Sequence, residues 1–252
     1  MTGPRREGDG GKLARQTQFI RPYGLALALL SAAAAVAPFP AVAADRSLTE
    51  ILARMDEAAA RFKGFSANME HVQHMDAIHE DEADSGAILV KRTKPKDLHV
   101  KIEFQKPERK VAFVDGNKVE VYYPQSGRVD RYDLGRRRSL LDMFVAQGFG
   151  GTSKDLQNDY NVKLGGAETV AGESATRLEL VPKLQVMSEQ WKRVDLWISD
   201  KSGYTVQQKF YENGKDYHLI TYTNVKLNPE IPDSEFKPEF PKGTKRETVI
   251  KK

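Results

Sequence analysis

Residues 98–123 read LHVKIEFQKPERKVAFVDGNKVEVYY. Leu98, Val100, Ile102 and Phe104 alternate with His99, Lys101 and Glu103, the period of two that belongs to a half-buried strand. Lys110–Val114 and Lys118–Tyr123 then flank Asp115-Gly116-Asn117, a tight hairpin signal. Three strands with no helical stretch between them make an antiparallel meander, and no βαβ rhythm follows elsewhere.

The same alternation runs outward in both directions. Upstream, Phe65, Ala67 and Met69 alternate with Ser66, Asn68 and Glu70, and Ile88, Val90 and Arg92 share one face of SGAILVKR. Downstream, after Gly127, strands are predicted at Arg128–Leu134, Tyr160–Leu164, Glu168–Val170, Ala175–Val181, Arg193–Ile198, Thr205–Tyr211 and His218–Lys226. Their turns are Gly165-Gly166, Gly172, Ser202-Gly203 and Asn213-Gly214. Two helices interrupt this pattern. Ser47 and Glu50 form a capping box, and Leu48, Ile51, Leu52, Met55, Ala59 and Phe62 make one apolar stripe that Gly64 ends. Leu140, Leu141, Phe144 and Val145 gather on one side of a second helix over Ser139–Gln147. Pro182–Gln190 reads equally as a loop or one helical turn. The expected fold is mainly β: a single strongly curved antiparallel sheet of about ten strands forming an unclosed β-barrel, with short α-helices as a lid over its concave face.

The first 44 residues differ from the rest. A basic lead (Arg5, Arg6, Lys12, Arg15, Arg21) precedes the apolar run Tyr23–Val42, then small residues, the pattern of a secretory signal peptide. Cleavage before Ala44 or Asp45 is expected, with residues 45–252 as a single exported domain. Of the 39 Lys and Arg residues five lie in the leader, with two of the 35 acidic ones, so the mature chain has a net charge of only +1. That balance gives no support to nucleic-acid binding, and the run Arg136-Arg137-Arg138 reads as a solvated turn. There is no cysteine, which excludes disulfides, thiol catalysis and thiolate zinc sites; a lipid anchor on cysteine is not expected.

Catalytic readings are weak. No phosphate loop and no GxSxG elbow occurs. His71, His74 and His79 sit among acidic residues, but not in an HExxH arrangement, and His71 and His74 fall on opposite faces if the strand continues. Asp130 and Asp133 lie in an Arg-rich stretch expected to be exposed and ion-paired. Trp191 and Trp197 fall on the polar phase of their strand and serve either as a platform or as packing on the second face. No metal and no cofactor is expected. The strongest site reading is an apolar trough: Ile88, Val90, Leu98, Val100, Ile102 and Phe104 facing Leu52, Met55, Leu140, Leu141 and Phe144 from the helices. Arg92 shares the phase of Ile88 and Val90, so its charge must reach water or hydrogen-bond partners.

The leader, the amphipathic helix and Lys63-Gly64-Phe65-Ser66-Ala67 resemble the start of the periplasmic outer-membrane lipoprotein carriers, the LolA-like lipoprotein-sorting proteins. The likeness continues through Leu89-Val90-Lys91-Arg92 with Pro95, Val114-Asp115-Gly116-Asn117-Lys118 and Tyr122-Tyr123-Pro124. It closes with Asn224-Val225-Lys226-Leu227-Asn228, Ile231-Pro232, Phe236 and Phe240-Pro241-Lys242-Gly243. Thr93-Lys94 departs from the family pattern, which has Pro directly after Arg. The resemblance implies a LolA-like half-barrel over residues 45–252, a monomer that carries lipoprotein acyl chains through the periplasm between an inner-membrane donor and an outer-membrane acceptor, without a chemical step. It also implies that Arg92 is the arginine that latches the helical lid to backbone carbonyls. The alternative is an envelope protein of the same fold that senses lipoproteins or scaffolds a complex.

Overall fold

A computed structural model describes residues 47–94, 97–133 and 150–249. The leader, Pro95, the arginine run at 136–138 and the helix expected over Ser139–Gln147, with Leu140, Leu141 and Phe144, lie outside the described residues. Helix α1 (Leu48–Arg61) begins as expected: the Ser47 side chain accepts from the Glu50 amide and the Glu50 carboxylate accepts from the Ser47 amide. It ends earlier than Gly64. Phe62 is already extended and Gly64 opens the first strand, so the glycine belongs to the sheet.

Among the described residues twelve strands follow: β1 (Gly64–Met75), β2 (Glu80–Lys94), β3 (Asp97–Lys106), β4 (Lys110–Asp115), β5 (Lys118–Tyr123), β6 (Arg128–Asp133), β7 (Tyr160–Val170), β8 (Glu173–Pro182), β9 (Arg193–Ser199), β10 (Thr205–Tyr211), β11 (Tyr217–Leu227) and β12 (Lys245–Thr248). They form one sheet in the order β12-β6-β5-β4-β3-β2-β1-β11-β10-β9-β8-β7. The sheet is not closed: among the described residues no ladder joins β7 to β12. It is two meanders sewn together where β1 pairs with β11, and among the described residues every ladder is antiparallel except β12 with β6.

Two local readings are corrected, one helix is added and one open stretch is resolved as a helical turn. Gly165-Gly166 is no turn: β7 runs through it with a bulge at Leu164/Gly166, because a φ of +102° at Gly166 lets the strand kink without ending. A short helix α2 (Ser153–Asp159), capped by Thr152, precedes β7, and a single turn α3 (Gln185–Ser188) fills the undecided stretch. Asp130 is buried beside Arg128, not exposed.

One continuous core explains the curvature. Phe65, Ala67 and Met69 of β1, Ile88 and Val90 of β2, Val100 of β3, Val114 of β4, Leu178 and Leu180 of β8, Val194, Leu196 and Ile198 of β9, and Phe210, Ile220 and Tyr222 of β10 and β11 pack in one cluster with Ile51, Leu52, Met55, Ala58 and Phe62 of α1. Strands far apart in the sheet order thus share a core with one helix, which requires the sheet to wrap around it. On the outer face the segment after β11 runs as a strap. Lys91 Nζ donates to the Ile231 carbonyl, Lys101 pairs with Glu235 at 2.8 Å, and Phe240 packs on Phe113 and Tyr122 before β12 joins β6.

Candidate functional site

Register sets the trough wall. Val90 stands opposite Val100 and Ile88 opposite Ile102, with Arg92 opposite Leu98, so all six lie on the concave face. Ile88, Val90, Val100, Leu52 and Met55 are buried in the core; Leu98, Ile102 and Phe104 are half-buried against it. These expected residues of sheet and first helix therefore do meet. The Thr93-Lys94 departure is taken up by an irregularity between Arg92 and Lys94, which leaves Arg92 in the inward phase.

The C-terminal end of α1 is where the site becomes polar. A helix end leaves carbonyls without intrahelical partners, and they carry partial negative charge. Here side chains from three distant strands or loops take them up. Arg92 Nη1 donates to the Ala59 carbonyl at 3.1 Å, the Tyr204 hydroxyl donates to the Ala58 carbonyl at 2.9 Å, and Asn228 Nδ2 donates to the Arg61 carbonyl at 3.0 Å. Burial pushes the Tyr204 phenol up, which keeps it a donor. The second arm of Arg92, Nη2, donates at 2.8 Å to the carbonyl of Gly150, just ahead of α2, and its guanidinium carbon lies 5.1 Å from the centre of the Phe62 ring. Gly150 has a φ of +87°, and a Cβ there would collide with Arg92 Nη2; only glycine admits this approach. At the other end of the join Asp56 of α1 accepts from both the Ser153 amide (2.7 Å) and its hydroxyl (2.6 Å), tying α1 to the start of α2. Arg92 is therefore a four-way junction between β2, α1, Phe62 and the segment leading into α2.

Sequence reasoning missed Tyr204, Asn228 and Gly150. Each is distant in the chain from α1, and only the Asn228 match to a family motif pointed to the region. The two tryptophans do not share a face: Trp197 is buried on the outer face with Val170, Ala175 and Val206, whereas Trp191 packs against Phe210 on the core side. The break between Trp191 and the start of β9 at Arg193 removes the register that their spacing assumed. His71 and His74 do lie on opposite faces, with His74 bonded to Asp81 at 2.7 Å and stacked on Tyr217. Among the described residues no group of three or more His, Cys, Asp or Glu side chains is placed to hold a metal ion, and no helix is long and apolar enough to cross a membrane.

The family model described as "Outer membrane lipoprotein carrier protein LolA" matches residues 61–239. The crystal structure of an uncharacterised conserved protein from Thermus thermophilus is similar to this chain at a TM-score of 0.51 and 14% identity, over 81% of this chain and 100% of that one. MucB, known from Pseudomonas aeruginosa in complex with MucA, is similar at a TM-score of 0.50 and 12% identity, over 76% of this chain and 62% of MucB. The Mycobacterium tuberculosis lipoprotein LppX is similar at 0.45 and 16% identity, over 74% and 100%. No curated protein matches the sequence significantly. The first two structures share the fold, and the family match extends from the last turn of α1, through every antiparallel strand, to the outer strap. By that match the chain belongs to the LolA family.

Proposed function

We propose that this protein is a non-enzymatic carrier that binds the acyl chains of lipoproteins, or of a similar lipidic cargo, in the trough beneath α1 and delivers them toward the outer membrane. The observation that carries this reading is the junction at Arg92: a cation rising from the apolar phase of a strand and bonded to a carbonyl of the helix that covers the trough. Bonds from a charged donor contribute about 1.5–3 kcal/mol apiece. Burying a methylene contributes about 0.8 kcal/mol, so a few methylenes of an acyl chain offset both. Arg92 is then the latch of a closed, empty state. Family membership supports the cargo class.

In this reading residues 1–44 are removed on export, residues 45–252 act as one periplasmic domain, and the monomer meets an inner-membrane donor and an outer-membrane acceptor in turn. Leu140, Leu141 and Phe144 are assigned to the cover from their sequence pattern alone. No bond is made or broken, so no cofactor is required.

The test is a fluorescent palmitoylated peptide titrated against the full chain, beside the same peptide without its acyl chain. Saturable binding of the acylated form alone is expected. Equal binding of both, or none, contradicts carriage. That result favours the scaffold alternative, an envelope protein of the same fold, for which the exposed side chains of Val181, Leu184 and Val186 offer an apolar surface.

A further inference from the structure

At the end of the trough away from Arg92 the inward face turns from apolar to titratable. β1 continues Phe65, Ala67, Met69 with His71, and β11 continues Tyr222, Ile220 with His218. His71 Nε2 lies 3.0 Å from His218 Nδ1, and the two rings are parallel within 4°. Their outer nitrogens face carboxylates. His71 Nδ1 is 3.4 Å from Asp84 of β2, and His218 Nε2 is 2.7 Å from Glu212, just after β10. Lys110 of β4 donates to the other oxygen of Asp84 at 3.2 Å, and Trp191 meets the His218 ring edge-on. These are the charged and titratable groups that face the pair from β2, β4 and the β10–β11 turn; His74 and Asp81 are on the opposite face.

The contact between the rings can hold only one hydrogen. A neutral imidazole carries one N–H and one bare nitrogen, so one ring donates across the 3.0 Å gap and the other accepts. Once both rings are imidazolium, every ring nitrogen carries a hydrogen and two N–H groups face each other, so the contact is lost. The observed contact belongs to the states in which at least one of the two rings is neutral.

We propose that His71 and His218 are a proton-gated clasp between β1 and β11, closed while one hydrogen bridges the facing nitrogens and opened when acid protonates both rings, so that acidification loosens this end of the trough and speeds loss of cargo. The cargo half of this inference rests on the carrier reading above. The location gives the clasp its leverage, because among the described residues β1–β11 is the seam that joins the two meanders. Protonation of His71 is resisted. Burial first, then the charge on His218 and that of Lys110, hold His71 below the ordinary 6.5, while Asp84 opposes them. A histidine with a lowered folded value contributes stability that is in place above 6.5 and is lost as pH falls through that lower value.

The experiment uses full-length protein with nitrogen-labelled histidine, followed by NMR from neutral pH to about pH 5, with amide exchange of β11 and dissociation of a fluorescent palmitoylated peptide measured in parallel. The expected result is a through-hydrogen-bond coupling between the two rings at neutral pH that vanishes in acid. Amide exchange at Leu219–Thr221 should speed up with it, and peptide dissociation should rise roughly tenfold, the scale of one hydrogen bond. His218→Gln should abolish the acid step in all three readouts. Independent titration of the two histidines, or an acid step that survives in both His218→Gln and His71→Gln, overturns the clasp. A clasp that opens in acid while peptide retention stays unchanged overturns the regulatory half. Failure of the peptide to bind at any pH overturns the carrier reading, while the ring coupling still decides the clasp.

Discussion

Arg92 commits both arms to backbone oxygens, one of them at a helix end, and this sets a clear expectation for its removal. Arg92→Leu keeps the strand apolar and the trough intact, so uptake of an acylated peptide should be unchanged. Release should be slowed, because the empty closed state loses its two bonds; peptide transfer to acceptor vesicles measures this, and wild-type transfer kinetics would mean that Arg92 only packs. Tyr204→Phe is a sharper probe of the same helix end. It leaves the Ala58 carbonyl buried without its donor, a loss of about 1–3 kcal/mol that a denaturant midpoint reports. Gly150→Ala gives the steric counterpart and should slacken the join, since the new Cβ meets Arg92 and Phe62. At this scale the inward phase of Arg92 was legible through Ile88 and Val90. Tyr204 and the partner of His71 were not, since each contact joins residues more than 140 positions apart in the chain.

Helix α1 is 14 residues long, too short to be stable alone in water, and its hold on the sheet comes from its stripe and its tied end. Its amides should therefore exchange faster than those of β1 and β9. Ile51→Ala, which empties a fully buried site at a cost of about 2–5 kcal/mol, should speed exchange in α1 selectively, as hydrogen-exchange mass spectrometry would read. Uniform acceleration across the sheet would show that α1 is an integral core element and not a separable cover. Elements with strong periodicity were legible: α1, the β3–β4–β5 meander and β8 to β11. The failures have physical reasons. Helix α2 is short and carries one buried apolar residue, Leu156, so no stripe marks it. β12 is Lys-Arg-Glu-Thr, all exposed, and pairs only because the strap lays it along β6. The double glycine in β7 signals a bulge as well as a turn, and pairing with β8 along its length decides for the bulge.

For the whole molecule, the order of strands was beyond the sequence: nothing in the alternation says that the first strand pairs with the eleventh. Yet that pairing places the first and eleventh strands side by side in the middle of the sheet and leaves the edges to β7 and β12. The open, curved sheet with few short helices is what the balance of many strands and few helices predicted. Export is a further expectation at this scale; intact-mass measurement of envelope-purified protein should give an N-terminus at Ala44 or Asp45, and a retained leader would remove the periplasmic assignment. Entry of acyl chains into the trough under α1 can be read with a lipopeptide bearing a photoreactive group on its acyl chain, cross-linked to the full-length protein and mapped by mass spectrometry. Labels are expected at Met55, Met69, Ile88 and Val90; labels confined to Val181, Leu184 and Val186 or to the outer face would exclude carriage under α1.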